Sequence, residues 1–284
     1  MKRFRISFIL LLIGWLSTVC ALPEQDFPAF LSNGATYQAP FADGERLTYV
    51  VNWKPLFFIP ALKAGEIRLS VDKSKYHGHD TYRIQAWADS AGSLTRVVGF
   101  SVRNYFESQV DRQTFRSYRI FQKIRQGNRQ RDLELIFDYD KNRTTVHETD
   151  PSTNPPRVLQ DAIKRGVPPL AVDVISVFYV ARVRAIDPGE HFAVDLSERG
   201  DFRRIRVMAE STEEVKTPVG NFPSLKLSTT GGLFRDGGDF HIWLSLDSLR
   251  VPTKFETDVK FGKVYGELTR LQTPTFSRRV VRIP

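Results

Sequence analysis

Few side chains in this sequence have the types and spacing that catalysis or metal binding requires. The best candidates are two histidines. His77-Gly78-His79-Asp80 sets two imidazoles two residues apart, and on a strand such residues share a face. Imidazole nitrogen and carboxylate oxygen together suit a zinc ion. The same string also suits a hairpin turn, in which the histidines would simply face solvent. His77 and His79 are therefore weak metal candidates, and we expect no cofactor.

Paired carboxylates are the other candidate catalytic groups, because glycosidases use two carboxyl groups at a fixed separation to hydrolyse glycosidic bonds. Glu107, Asp132, Glu134 and Glu256 could supply such a pair, but any solvent-facing sheet carries acids of this kind. The sequence strings that mark serine hydrolases, zinc peptidases and nucleotide-binding enzymes do not occur. We therefore expect a protein that is not an enzyme, with an unconventional hydrolase as the exception.

The N-terminal residues have the composition of an export signal. Three basic residues within the first five precede an uncharged run, 6–19, which is shorter than the roughly 20 residues of a membrane-spanning helix. The run leads to Cys20 and Ala21, a pattern that predicts signal-peptide cleavage after Ala21. Alternatively, Cys20 could be the lipidated first residue of a membrane-anchored lipoprotein.

Removal of the signal peptide would change what the chain can do. It would remove the only cysteine, and with it any disulfide or thiol chemistry. It would also take away three of the basic residues, lowering the net charge from +9 to +6. A moderately basic protein of the periplasm suits anionic lipid headgroups or acidic glycans as partners. We do not expect it to bind nucleic acid.

Alternating apolar and polar residues dominate the chain from Glu45 onward. Leu47, Tyr49, Val51 and Trp53 are spaced for one side of a strand, and a period of two is typical of half-buried strands. About a dozen such segments follow one another, separated by turn-type residues. The pattern predicts an all-β fold, in which a large curved antiparallel sheet forms a roll or an open barrel.

A helical spacing interrupts this alternation around residues 173–186. The segment starts with an aspartate suited to capping a helix and ends before Asp187-Pro188-Gly189. A weaker helical turn is predicted over 158–164. The resulting organisation is a signal peptide (1–21), an irregular segment (22–40), one β-rich domain of two halves joined by the helix (41–271) and a tail (272–284).

An apolar segment lies between the first two predicted strands. Residues 55–62 have no polar side chain, and Lys54 and Lys63 flank them. The segment could plug one end of the roll, cover a cavity in the sheet, or touch a membrane surface with its lysines near headgroups. If it binds a ligand, the residues concerned are Trp53, Leu56, Phe57, Phe58, Ile59 and Leu62.

Three basic strings allow two interpretations. Because side chains alternate along a strand, only half of each string would share a face. A solvated surface is the simpler interpretation, and an anion-binding patch is the alternative. The strings lie at 125–131, 203–206 and 278–282.

Several short strings keep a recognisable order along the chain. They are Phe41-x-x-Gly44-Glu45-x-Leu47-x-Tyr49, Asp173-x-x-Ser176-x-x-Tyr179-x-x-Arg182, Thr217-Pro218-x-Gly220-x-Phe222 and Ile242-Trp243-Leu244-x-x-Asp247-x-x-Arg250-x-Pro252. Together they resemble the domain-of-unknown-function 3108 family. The resemblance implies an exported bacterial protein with a large curved antiparallel sheet, similar to the sheets of periplasmic lipoprotein carriers, and no established catalytic residues.

The matched positions also have structural explanations. Asp173 could cap the helix, and Arg182 could pair with Asp173 or with a carboxylate on a strand. Gly220 and Asp247 suit tight turns. The family-motif positions are Gly44, Glu45, Asp173, Ser176, Arg182, Gly220, Trp243, Asp247 and Pro252.

These observations favour a periplasmic binding or carrier protein for a lipid-like or other amphipathic ligand. The chain contains 21 Phe, 9 Tyr and 4 Trp, which is an ample supply of side chains for an apolar concave face. The alternative is a structural or assembly factor of the cell envelope, which would bind another protein through its sheet edges or basic faces.

Overall fold

The computed structural model shows a sheet of sixteen strands and an eight-residue helix. The residues that it describes are 39–56, 60–92, 96, 99, 101–184, 186–230, 233, 238–260, 262–274 and 276–278.

The first half of the chain contributes eight strands. They are β1 (Glu45–Pro55), β2 (Leu62–Tyr76), β3 (His79–Ser90), β4 (Arg103–Asp111), β5 (Ser117–Gln126), β6 (Arg129–Asp138), β7 (Arg143–Asp150) and β8 (Arg157–Arg165). The second half contains the helix and the other strands. They are β9 (Ala171–Val172), α1 (Ser176–Val183), β10 (His191–Glu198), β11 (Asp201–Thr217), β12 (Gly220–Thr230), β13 (Phe240–Ser245), β14 (Pro252–Val259), β15 (Gly262–Thr273) and β16 (Phe276–Arg278).

The strand order follows the chain outward from a central pair. It runs β8-β7-β6-β5-β4-β3-β2-β1-β15-β14-β13-β12-β11-β10-β9, with β16 beside β15. Neighbours are antiparallel, except that β9 and β10 are parallel. Strand β1 joins the halves through its register with β15, in which Tyr49 lies opposite Leu268. The prediction of a mainly β fold with a large antiparallel sheet and a helix near residues 173–186 is confirmed.

The two halves share one hydrophobic core, which requires the sheet to curve. Val110 on β4 and Leu227 on β12 belong to the same buried cluster, although many strands separate them in the sheet. The helix packs in that cluster through Val177, Val180 and Ala181. A flat sheet could not bring these side chains together.

The helix is shorter than the sequence predicts. It spans Ser176–Val183 instead of 173–186. Asp173 stands before a turn that leads into the helix, and its carboxylate accepts a hydrogen bond from the backbone N–H of Ser176 at 2.7 Å. At the other end Arg184 is already extended, three residues before the Asp187-Pro188 pair, which disfavours helix.

The predicted helical turn over 158–164 is wrong, because these residues lie within β8. Leu159 and Ile163 have a spacing that a helix would also produce. In the structure, pairing with β7 decides the conformation, and His147 lies opposite Asp161. Cross-strand hydrogen bonds and packing therefore override the local pattern.

The two ends of the sheet meet through side chains at a contact that we call the seam. In the described part of the chain, β8 and β9 do not pair with each other. Instead the two-residue turn Arg199-Gly200 contacts β7 and β8: Arg199 pairs with Glu148, and an added Cβ on Gly200 would lie 2.5 Å from Val146. Beside this turn, Lys164 and Asp201 form an ion pair at 2.7 Å.

Candidate functional site

A cleft of about 290 Å³ lies between strands β4–β7 and the segment around β10. Its volume is at the lower end of the range for small-ligand sites. The lining residues are Asn104, Phe106, Gln122, Ile124, Gln126, Arg129, Arg131, Leu133, Glu148, Val174, Leu196, Ser197, Glu198, Arg199 and Leu233.

The inner face of strands β5–β7 is fully apolar beneath the cleft. Ile120, Leu135 and Val146 lie opposite one another on successive strands and are completely buried. Because side chains alternate, the next residues on this face lie two positions further along each strand. They are Gln122, Leu133 and Glu148, which lie opposite one another in the same way.

The same face becomes cationic toward the β5–β6 turn. Ile124 lies opposite Arg131, and Gln126 lies opposite Arg129 at the end of the hairpin. Strand β10 and its surroundings complete the opposite wall with the apolar side chains of Leu196 and Leu233. The cleft is therefore amphipathic, with an apolar floor and a positively charged end.

Three guanidinium groups form the charged end around one buried carboxylate. Glu148 accepts a hydrogen bond from Arg199, and its other oxygen lies 3.8 Å from Nε of Arg131. Arg131 also donates to Asp150 at 3.0 Å. Arg129 differs from its neighbours, because its Nε is buried without a hydrogen-bond partner in the described part of the chain.

The electrostatics of this end follow from the crowding of like charges. Burial lowers the pKa of Arg129, and the nearby charges of Arg131 and Arg199 lower it further, while Glu148 acts in the opposite direction. Like-charged groups that are partly removed from water repel each other more strongly than on an open surface. Among the described residues that line the cleft, the three arginines outnumber the two carboxylates, Glu148 and Glu198.

A second polar site lies at the helix, in the centre of the core. Arg182 and Glu45 are both fully buried and form two hydrogen bonds, at 2.6 and 2.9 Å. Arg182 also donates to the carbonyl oxygen of Leu249 at 2.9 Å. The rings of Phe41 and Tyr179 lie 5.1 and 5.5 Å from its guanidinium carbon. This ion pair connects β1, the helix and the turn after β13.

A buried carboxylate fixes the entry into the helix. Asp173 accepts hydrogen bonds from the hydroxyl of Ser108 on β4 and from the backbone N–H of Ser176. The hydroxyl of Ser176 in turn accepts from the N–H of Asp173 at 2.9 Å. Burial raises the pKa of Asp173 despite these bonds, which act to lower it. The arrangement is enclosed by the core and does not open on the cleft.

Comparison with known protein families shows to which family this chain belongs. The family model described as "Protein of unknown function (DUF3108)" matches residues 48–269. The chain belongs to the DUF3108 family. The resemblance inferred from the sequence strings is thereby confirmed, and the family has no assigned activity.

Two solved structures were compared with this DUF3108 protein, and the first of them has a similar fold. A β-barrel-like protein of the DUF1849 family from Brucella abortus has a TM-score of 0.51 at 11% identity, and the match covers 82% of this chain and 98% of the other. A candidate exported protein with a YmcC-like fold from Bacteroides fragilis NCTC 9343 has a TM-score of 0.30 at 12% identity, covering 84% and 100%. No curated protein matches the chain.

Most of the remaining motif positions of the DUF3108 chain lie at turns and strand ends, whereas Trp243 lies within β13. Asp247 accepts from the N–H groups of Leu249 and Arg250 at 3.0 and 3.2 Å. Pro252 accepts from the hydroxyl of Tyr49 at 2.8 Å. Trp243 is buried and donates to Glu213, Gly44 donates its N–H to Val71, and Gly220 begins β12.

The described residues at and beside the apolar segment of the DUF3108 chain lie apart from the cleft. Trp53 and Leu62 are opposite one another on β1 and β2 and are half-buried. Leu56 is 51% exposed and borders a shallow depression with Lys54 and Lys254. None of these three lines the cleft. Phe57, Phe58 and Ile59 lie outside the described residues.

The two histidines lie at the β2–β3 turn and are exposed. His77 has a positive φ of 46° and stands edge-on to Tyr76. The ring of His79 stacks on Tyr118 with centroids 4.6 Å apart. Among the described residues, no group of three or more His, Cys, Asp or Glu side chains could hold a metal ion. In the same part of the chain, no helix is both long and apolar enough to cross a membrane.

The cleft itself is what the sequence reasoning missed. Its arginines belong to the basic string 125–131, for which two interpretations remained open. The signal was the register of the β5–β6 hairpin: a turn at Gly127-Asn128 sets Arg129 and Arg131 on the same face as Gln126 and Ile124. Which face would be concave could not be read from the hairpin alone.

Proposed function

We propose that this DUF3108 protein is an exported, non-catalytic binding or carrier protein that holds an amphipathic, lipid-like ligand in the cleft. The observation that carries the proposal is the change from apolar to cationic residues along one continuous inner face of β5–β7. An apolar group of a ligand would rest on Phe106 and Leu133, and its polar end would lie toward Arg129.

The apolar floor would supply the affinity. Burial of apolar surface contributes about 25 cal/mol per Å², and the polar groups at one end of such a site mainly set the ligand's orientation. The described residues that line the cleft include Ile124, Val174 and Leu196 as further apolar contacts. The size of the cleft suits a short apolar chain of the ligand, or part of a longer one.

The groups in the cleft support binding more than catalysis. General acid or base chemistry needs a group whose pKa is set near the working pH and which can reach a substrate. Glu148 is instead held between Arg131 and Arg199 in ion pairs. No histidine is among the described residues that line the cleft. Export rests on the composition of residues 1–21.

Two measurements test the proposal on the full-length protein as the cell processes it. Native mass spectrometry after detergent-free purification should show a co-purifying amphiphile. Titration with N-phenyl-1-naphthylamine, an uncharged probe that fluoresces in apolar surroundings, should give a saturable signal at one site per chain. A protein that carries no amphiphile and gives no saturable signal would refute the proposal.

A second candidate function, binding of another envelope protein, is favoured by one observation at the sheet edge. Strand β8 ends the sheet order and, among the described residues, pairs only with β7. Its outer side chains Val158 and Ile163 are 55% and 61% exposed. An edge strand with apolar side chains can accept a further strand from a partner. Crosslinking in cells separates the two functions, because discrete protein adducts at β8 would favour this one.

A further inference from the structure

We infer that the cleft selects an anionic headgroup, of the phosphate or carboxylate class, through Arg129 together with Arg131 and Arg199. The inference rests on the proposed function, since it names the chemical class of the ligand's polar end. It gives a role to Arg129 in the basic string 125–131, whose other arginines, Arg125 and Arg131, form ion pairs within the sheet.

The first step is the position of Arg129. It lies on the inner face at the end of β6, opposite Gln126, and it lines the cleft. Its Nε is buried and finds no hydrogen-bond partner within the described residues. A buried donor without a partner is destabilising, more so when it belongs to a charged group. A bound anion would supply the missing acceptor.

The second step is the way in which the neighbouring arginines are used. Arg199 pairs with Glu148, and Arg131 lies between Glu148 and Asp150. The Glu148 side chain is nearly fully buried, and Glu198 is the second carboxylate of the lining. Because these pairs use Arg131 and Arg199 but leave the Nε of Arg129 without a partner among the described residues, Arg129 is the group that a bound anion would contact first.

The third step is the chemistry of guanidinium groups. A planar guanidinium presents several N–H donors that match the oxygens of phosphate and carboxylate, often in pairs. Several arginines around a partly enclosed site therefore favour an oxyanion over a neutral headgroup. An ammonium headgroup would be repelled by the same charges. The apolar floor next to Arg131, formed by Ile124 and Leu133, then receives the chain that bears this headgroup.

The test compares three probes below their micelle concentrations by calorimetry. Decyl phosphate carries the anion and the chain, decyl maltoside carries the chain alone, and inorganic phosphate carries the anion alone. Decyl phosphate should bind about tenfold more tightly than either of the others, because hydrogen bonds to the anion add to the burial of the decyl chain. Raising the salt concentration should weaken decyl phosphate binding and leave decyl maltoside binding unchanged.

A pair of variants locates the effect. Arg129→Gln should reduce decyl phosphate affinity to that of decyl maltoside and leave the maltoside affinity unchanged. Arg103→Gln is the matched control, because it removes the same charge from an 86% exposed position on β4, outside the cleft lining. This control should bind all three probes as the wild type does.

The outcomes separate this inference from the proposed function. Equal affinity for the two decyl probes, unaffected by Arg129→Gln or by salt, would overturn the anionic headgroup while leaving an amphipathic ligand. Failure of every decyl probe to bind would overturn both. If Arg129→Gln does not fold, the salt dependence and probe preference of the wild type decide the question alone.

Discussion

The guanidinium of Arg182 and the carboxylate of Glu45 form a fully enclosed, two-point ion pair between residues 137 positions apart. The pair joins the helix to the first strand of the sheet. Removing two charges from water is costly, and good geometry with further hydrogen bonds only partly offsets that cost. The pair therefore acts mainly by fixing where the helix lies, since neither charge can be buried alone.

Breaking this pair should destabilise the protein strongly. We expect Glu45→Gln to lower the free energy of unfolding by about 3–5 kcal/mol, because it leaves the buried charge of Arg182 uncompensated. Urea denaturation measures the loss. Asp89→Asn is the control, since Asp89 pairs with Arg68 at 2.9 Å on a partly exposed surface, where such pairs contribute about 0–1 kcal/mol. Equal losses in the two variants would show that the buried pair has no special role.

The contribution of Asp173 to the free energy of unfolding should fall as the pH rises. Its pKa is raised in the folded protein by burial, so the folded state holds the proton more tightly than the unfolded chain does. That stabilisation is fully present below the unfolded pKa and is lost as the pH rises through the folded pKa. Asp173→Asn removes the titrating group while keeping its size.

The difference between two unfolding curves isolates this residue from the other carboxylates. The unfolding free energy of the wild type minus that of Asp173→Asn should decrease as the pH rises from the ordinary aspartate value toward neutrality. Denaturant titrations at a series of pH values provide both numbers. A constant difference would mean that folding does not shift this pKa, and a difference that grows with pH would mean that the carboxylate is stabilised in its charged form; either result would contradict the prediction.

The seam should depend on the absence of a side chain at Gly200. Its φ is +80°, and an added Cβ would lie 2.5 Å from a methyl carbon of Val146. Gly78 has φ +84° with nothing within 4 Å of an added Cβ. We expect Gly78→Ala to cost about 1–2 kcal/mol through its backbone alone. Gly200→Ala should cost about 1–3 kcal/mol more through overpacking of β7.

Thermal and urea unfolding of the two alanine variants give this comparison directly. The excess loss in Gly200→Ala measures how tightly the turn after β10 packs on β7. Indistinguishable losses would indicate that the seam is open in solution and that the cleft is wider than described.

Much of the fold could be predicted from the sequence because strand alternation is a local property. Leu47 and Tyr49 alternate with polar residues, and both are buried in the core of β1 as that pattern requires. The pairing of Tyr49 with Leu268 could not be predicted, since partners more than 200 residues apart leave no mark on local spacing. The misassigned segment 158–164 shows the converse, a local pattern that long-range pairing overrides.

The candidate site was less predictable than the fold. An anion-binding use of 125–131 was one of two interpretations, but whether Arg129 faces solvent or the cleft depends on the curvature of the whole sheet. The identification of Glu45 as the partner of Arg182 likewise needs the three-dimensional arrangement. The sequence indicated only that a strand carboxylate was one of two candidates.

The central claim is that the apolar floor of the cleft binds the ligand, and filling that floor tests it most directly. Ile124→Trp would occupy the space beside Leu133, whereas Ile136→Trp adds the same bulk on the outer face of β6, where Ile136 is 38% exposed. The measurement is the affinity for N-phenyl-1-naphthylamine by fluorescence titration. The account predicts a loss of about tenfold or more for Ile124→Trp and wild-type affinity for Ile136→Trp. Equal affinity in both variants and the wild type would contradict it.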